Sequence, residues 1–274
     1  METHTHTHTH KAKKGPTVDF DGKKFTKVIC YIGKDLTYSV SAVTILLAKK
    51  IHIEAIVGEE ANIIWEQIAN GLKTYEIQLI VAKRPWESNE FDNIKSNNNF
   101  LGINCGFDYI IPKDILNQIP TLNIHPAALP FNRGCHHSFW GIVDATKLGA
   151  TLHWMTEGLD EGPIISQKIF EDDGYSSAGK IQEECNFMCL ELLSEYIDLA
   201  MNGGTKSVPQ SSGTYHSKKD IQAKSTLNIE NDISVNYLFD LCRATNNKNN
   251  GFFIIKNDRK FRVVIDRIEE IKIT

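Results

Sequence analysis

Three polar side chains in this chain have the types and spacing for acyl-group chemistry. Asn123 and His125 sit in Asn-Ile-His-Pro-Ala-Ala-Leu-Pro, residues 123–130, and Asp160 sits in Glu-Gly-Leu-Asp-Glu-Gly-Pro, residues 157–163. Together they offer an amide, an imidazole and a carboxylate. An imidazole with an ordinary pKa near 6.5 is the natural proton carrier near neutrality. A carboxylate beside it fixes its tautomer and raises its basicity. An amide N–H can donate to an oxyanion, a contact worth roughly 3–4 kcal/mol in acyl transfer. The set suits attack by an amine on an activated acyl group.

Each stretch lies where a strand gives way to a tight turn. Alternation along a strand puts Asn123 and His125 on one side, and Pro126 turns the chain away because it cannot continue a ladder. Gly158 and Gly162 allow a tight turn around Asp160. The surrounding pattern alternates strand and helix. Strands are expected over residues 27–32, 51–57, 77–82, 100–105, 122–125, 150–155 and 164–170. Helices are expected over 36–50, 59–72, 137–145 and 176–202. Such alternation predicts an α/β fold, a Rossmann-like and mostly parallel sheet with helices on both faces. Ligands collect at the carboxyl ends of the strands in such sheets. A Gly-, Ser- and Pro-containing break over 203–213 marks a domain boundary. The tail reads as a small α+β appendage with a helix over 233–244 and a β-hairpin turning at Asn257-Asp258.

Residues 1–15 read as an engineered affinity tag, because Thr and His alternate after Met1-Glu2. The predicted division is therefore a tag to residue 15, a catalytic domain over 16–203 and a small region over 204–274. Three lysines and one glutamate leave with the tag, taking the formal charge from −4 to −6. Proteins that grip nucleic acid usually carry a basic face, so no nucleic-acid partner is expected. No apolar run reaches the length of a membrane span. The six cysteines have no framework spacing, which fits a reduced cytoplasm.

The motif residues resemble the formyltransferases that use 10-formyl-tetrahydrofolate. The resemblance runs through residues 123–130, Asn132-Arg133-Gly134, Gly149-Ala150-Thr151-Leu152-His153 and residues 157–165. It covers roughly residues 27–202 and continues more weakly at Thr214-Tyr215-His216 and in the tail. It implies a Rossmann-like fold, formyl transfer to a primary amine, and catalytic roles for Asn123, His125 and Asp160. It also implies 10-formyl-tetrahydrofolate as donor, with the backbone of Gly106, Phe107, Asp108, Tyr109, Ile110 and Ile111 holding the pterin ring.

Among possible acceptors, the resemblance is best to the nucleotide-sugar N-formyltransferases, through residues 129–134 followed by an aromatic- and His-bearing helix start. A 4-amino-4,6-dideoxyglucose carried on dTDP, destined for surface polysaccharide such as O-antigen, is the favoured acceptor. Arg133, with a fork suited to diphosphate, is expected to bind substrate together with Asn132, His136 and Trp154. Trp140 is a further candidate for stacking, and core packing is the competing and favoured reading for both Trp140 and Trp154. Methionyl-tRNA formyl transfer is the alternative, disfavoured by the short tail and acidic charge. Hydrolysis of the formyl donor is the second alternative, and a non-catalytic binding module a third. Cys135-His136-His137 suggests no metal site, since adjacent side chains diverge and no paired Cys-x-x-Cys spacing accompanies them. The hairpin, with Phe261, Val263 and Ile265 alternating, is a candidate homodimer contact.

Overall fold

The computed structural model describes Phe20 and residues 22–58, 71, 75–96, 99–245, 251–265, 268 and 271. The tag and most of the helix expected over 59–72 lie outside the described residues. The strands are β1 (Lys27–Ile32), β2 (Ile53–Gly58), β3 (Gln78–Val81), β4 (Phe100–Cys105), β5 (Thr121–His125), β6 (Arg133–Gly134), β7 (Leu148–Trp154), β8 (Ile164–Phe170), β9 (Tyr215–His216), β10 (Thr226–Asn228), β11 (Phe252–Lys256) and β12 (Arg259–Val263). Among the described residues the helices are α1 (Leu36–Ala48), α2 (Asn89–Lys95), α3 (Lys113–Gln118), α4 (His137–Val143), α5 (Ala178–Met201), α6 (Asp220–Lys224) and α7 (Val235–Thr245).

Seven strands form one sheet in the order β3-β2-β1-β4-β5-β7-β8. The first five run parallel, and β7 and β8 are antiparallel at one edge. The expected Rossmann-like fold is thus observed. Alternation along β1 explains the two covered faces. Val28 and Cys30 join α1 and α5 in one core, whereas Ile29 and Tyr31 join α2 and α3 in another. The long α5 starts at Ser177, whose hydroxyl accepts from the Lys180 amide at 3.3 Å. It buries Ile181, Cys185, Cys189, Leu192, Leu193 and Ile197 at helical spacing.

The sheet order turns back between β1 and β4, and there the chain is tightly drawn together. A Cβ on Gly33 would lie 1.8 Å from the Gly106 carbonyl oxygen, so only glycine fits. This crevice is where such a sheet binds ligands.

The tail, too small to stand as an independent domain, packs on the larger domain. Leu227, Leu241, Ala244 and Phe252 share a core with Phe139, Trp140, Ile142, Leu148, Ile181 and Cys185. Arg243 of α7 is buried, and its guanidinium grips Asp172 at the end of β8 through both Nη atoms, with the Nη1 contact at 2.9 Å. Its Nε donates to Asp240 at 2.8 Å. The break over 203–213 is likewise packed down. Val208 and Ile164 exchange two backbone hydrogen bonds of 2.8 Å, and a Cβ on Gly213 would lie 1.9 Å from the Pro130 carbonyl oxygen. Gly-rich composition there serves close approach as well as turning.

Candidate active site

Strand register assembles the site. In β5, Leu122 and Ile124 enter the core shared with α5, so Asn123 and His125 face the other way. Asn123 pairs with Asn104 on β4 and with His153 on β7, and His125 pairs with Thr151 on β7, which pairs with Gln167 on β8. Two adjacent rows of polar residues therefore cross the sheet at its carboxyl edge.

The second row holds the turn after β5. Thr151 Oγ1 donates to the Ala127 carbonyl at 2.7 Å and accepts from the Leu129 amide at 3.1 Å. Gln167 Nε2 donates to the Leu129 carbonyl at 2.6 Å and to Thr151 Oγ1 at 2.9 Å. The Leu129–Pro130 peptide is cis.

Asp160 arrives from the loop between β7 and β8. It is buried and has φ of 53°, a left-handed conformation rare for a non-glycine residue. Asn123 Nδ2 donates to its Oδ1 at 3.2 Å, and the Gly134 amide donates to its Oδ2 at 3.0 Å. His125 Nδ1 stands 3.6 Å from Oδ1, and His153 Nε2 stands 3.9 Å away. The expected meeting of amide, imidazole and carboxylate is present, with His125 and Asp160 at ion-pair distance. Burial alone would raise the Asp160 pKa. His125, His153 and the Gly134 amide outweigh it and hold the carboxyl below its usual 3.8.

Both N–H groups of Asn123 are engaged, one by Asp160 and the other by His153 Nε2 at 3.1 Å. Turning the amide over would set its oxygen against the carboxylate, so the hydrogen-bond network fixes its orientation. His125 Nε2, by contrast, is buried and has no partner. Of the two groups, His125 Nε2 is the one whose bonding capacity is left for a ligand.

His153 and His137 were not assigned roles by sequence reasoning. His153 Nδ1 lies 2.9 Å from the Trp154 carbonyl, which accepts its proton and leaves Nε2 as the acceptor for Asn123. Burial pushes its pKa down to about 4, against the pull of Asp160. The His137 ring stands 5.5 Å from that of His125, and its two nitrogens are buried. Burial pushes it down to about 3, and His125 acts in the same direction. Both flanking imidazoles are therefore neutral near pH 7. The alternation of Thr151 and His153 between apolar neighbours was a usable signal for one face of β7.

The remaining candidates divide. Arg133 lies beside the Asp160 loop, its Nε donating to the Pro130 carbonyl at 3.2 Å and its Nη1 to Glu161 at 3.0 Å. His136 is exposed at the amino cap of α4. Asn132 is buried, and its side chain bonds Thr146 at 2.6 Å and Thr214 at 3.4 Å. It fixes the loop and is not presented to a ligand. Trp154 is fully buried and packs edge-on against Phe20 at 5.0 Å. Trp140 is also buried, stacked at 3.8 Å on His216. Neither indole is a surface for a base.

In the loop after β4, Asn104 Oδ1 accepts from the Phe107 amide at 2.9 Å. Phe107 and Ile111 are buried anchors, and Asp108 and Ile110 between them are exposed. Trp86 stands edge-on to the Phe107 ring at 6.5 Å. A cavity of about 500 Å³ lies along α1, lined by Val40, Val43, Leu47 and Tyr75 among others, and does not include His125 or Asp160. No group of three or more His, Cys, Asp or Glu side chains among the described residues could hold a metal ion.

A histidine and a carboxylate gathered at the carboxyl edge of an open α/β sheet form a proton-transfer pair where such sheets bind ligands. The chain belongs to the formyl transferase family, whose amino-terminal domain model matches residues 45–196. It is 28% identical over 160 residues to a dTDP-4-amino-4,6-dideoxyglucose formyltransferase of Mycobacterium bovis, covering 57% of this chain and 68% of that protein. Methionyl-tRNA formyltransferases are also among its relatives. Its fold matches a 4-N formyltransferase from Francisella tularensis with a TM-score of 0.73 at 22% identity, over 90% of this chain and 99% of the other. It also matches an N-formyltransferase from Helicobacter canadensis, solved with folinic acid and dTDP-3-aminofucose, with a TM-score of 0.64 at 19% identity over 84% of each chain.

Proposed function

We propose that the protein transfers a formyl group from 10-formyl-tetrahydrofolate to the primary amine of a nucleotide-linked amino sugar, with dTDP-4-amino-4,6-dideoxyglucose the favoured acceptor. The observation that carries this reading is His125, whose Nε2 is buried and unpartnered while its Nδ1 faces Asp160 at 3.6 Å. The names of the relatives, and the folate and dTDP-sugar held by the Helicobacter protein, support the choice of donor and acceptor.

The donor supplies a formyl carbon bonded to its N10. Transfer forms a bond from that carbon to the amine nitrogen, breaks the bond to N10, and moves one proton from the incoming nitrogen to the leaving one. His125 Nε2 is the group to take the proton from the attacking amine; the imidazolium so formed donates to the formyl oxygen and then gives the proton to the leaving N10, and proton transfer of this kind contributes typically 10²–10⁴-fold. Asp160, ionised at neutral pH, faces the imidazolium that forms. Asn123 braces Asp160 and His153. The exposed stretch around Asp108 and Ile110 is the candidate surface for the pterin, and Arg133 the candidate cation for the diphosphate. Glu161 already occupies part of the Arg133 fork, so a diphosphate must displace it or bind beside it.

The test offers the wild-type protein 10-formyl-tetrahydrofolate with a panel of amino sugar nucleotides, and reads acceptor mass for a gain of one formyl group. Tetrahydrofolate release without an amine would instead indicate hydrolysis, and formylation of methionyl-tRNA alone would move the acceptor to tRNA. His125→Ala and Asp160→Asn are each expected to lower kcat by about 10²-fold or more. Near-wild-type kcat in both would overturn the site.

A further inference from the structure

The connecting segment reaches the candidate site through one side chain. Gln210 lies beyond the residues matched by the family model, in the stretch that joins α5 to the tail. Its Nε2 donates to the Asp160 carbonyl at 2.7 Å and to the Gly162 carbonyl at 2.7 Å. A primary amide nitrogen carries two N–H groups, and here each carbonyl takes one. The segment is itself registered on β8 by the paired backbone hydrogen bonds between Val208 and Ile164.

This grip falls on a turn whose own closing bond, from the Glu161 amide to the Gly158 carbonyl, is long at 3.5 Å. Asp160 has φ of 53°, and a non-glycine residue persists there only where its surroundings over-determine it. Its carboxylate bonds to Asn123 and Gly134, but those bonds form only if the backbone beneath is in place. Gly162 has no freedom on its inner side, since a Cβ there would lie 1.7 Å from the Trp154 carbonyl oxygen. Gln210 closes the remaining side by tying two carbonyls, two residues apart, to one nitrogen.

We propose that Gln210 is a positioning residue for formyl transfer, holding the 160–162 backbone so that the Asp160 carboxylate stays between Asn123, Gly134 and His125. The proposal rests on the reading of Asp160 given above. Gln210 acts through Asp160 and touches no reacting atom. Gln210→Ala leaves both carbonyls without this donor. Gln210→Glu keeps the shape and sets oxygen against oxygen.

The experiment is a double-mutant cycle of Gln210→Ala and Asp160→Asn, with 10-formyl-tetrahydrofolate and dTDP-4-amino-4,6-dideoxyglucose as substrates. A displacement of about 1 Å costs on the order of 10²-fold in rate. Gln210→Ala is therefore expected to lower kcat by about 10- to 100-fold, with KM for both substrates within about threefold. In the Asp160→Asn background it should cost nothing further, because the group it positions is already gone. Losses that multiply would make Gln210 a merely structural residue and overturn the proposal. So would a Gln210→Ala enzyme within about twofold of wild type beside a crippled Asp160→Asn; the site reading would then stand. An Asp160→Asn enzyme as active as wild type would remove both. If Gln210→Ala fails to fold, Gln210→Glu is read against the same outcomes.

Discussion

Asn123 is engaged on two sides, and its occupation redistributes the roles in the site. With both N–H groups bound, it acts on Asp160 and His153 in this structure, while His125 Nε2 is left for a ligand. The two neutral imidazoles beside His125 give the site a measurable acid sensitivity. The fold holds His153 down to about 4 and His137 down to about 3, against 6.5 for an ordinary imidazole. Between pH 6.5 and 4 the unfolded chain takes up protons that the fold refuses, so stability falls as pH is lowered through that window. Above 6.5 neither group contributes. Each such group steepens the dependence by up to about 1.4 kcal/mol per pH unit. Asp160, held below its usual 3.8, stabilises the fold above that value and loses its contribution only at lower pH. His153→Gln is expected to flatten the slope between about pH 7 and about pH 5 relative to wild type, measured as urea midpoints. An unchanged slope would mean that His153 titrates normally in the fold. The motif stretches exposed Asn123, His125 and Asp160 to sequence reading because turn residues mark them. Thr151 and His153 were visible as motif residues, but their roles, and Gln167 altogether, were hidden because these depend on which residue of β7 and β8 stands opposite β5, and a single sequence does not contain that register.

At the scale of elements, long periodic segments were readable and short ones were not. Strands β1, β4 and β8 fall on the expected residues, and α5 differs from its expected span by two residues at its start and one at its end. The helices α2 and α3, of seven and six residues, carry less than two full turns of pattern and went unrecognised. The 203–213 break looked like a linker because glycine serves both a loose joint and a close backbone approach, and composition does not separate the two. The joint between α7 and the end of β8 is the place to test how the elements are held. Arg243 is buried among Asp172, Asp240 and the Ser176 carbonyl. Truncating one partner of a buried pair leaves the other charges uncompensated, at a cost of about 3–5 kcal/mol. Arg243→Ala is expected to lose stability on that order in chemical denaturation. Arg243→Lys should recover little, because a point charge does not match the two-pronged contact with Asp172. A loss under about 1 kcal/mol for Arg243→Ala would show that the joint is held by packing alone.

At the scale of the whole molecule, the described parts act as one body. The apolar residues of β10, β11 and α7 complete a core begun by α4, α5 and β7, and the connecting segment supplies Gln210 to the Asp160 turn. A chain ending at Gly203 should therefore not behave as a smaller enzyme. It is expected to expose Phe139, Trp140 and Ile142, to be recovered poorly as soluble protein, and to lack formyl transfer. Recovery of a well-folded, active truncation would show that the tail's packing is dispensable.

Among the four tryptophans of the chain, Trp86 stands beside the Phe107 anchor of the candidate folate loop, while Trp140 and Trp154 are locked into packed cores. Trp86 is thus a built-in optical gauge next to the surface where the donor is proposed to settle, and the part of the emission lost in Trp86→Phe is the part that registers rearrangements there.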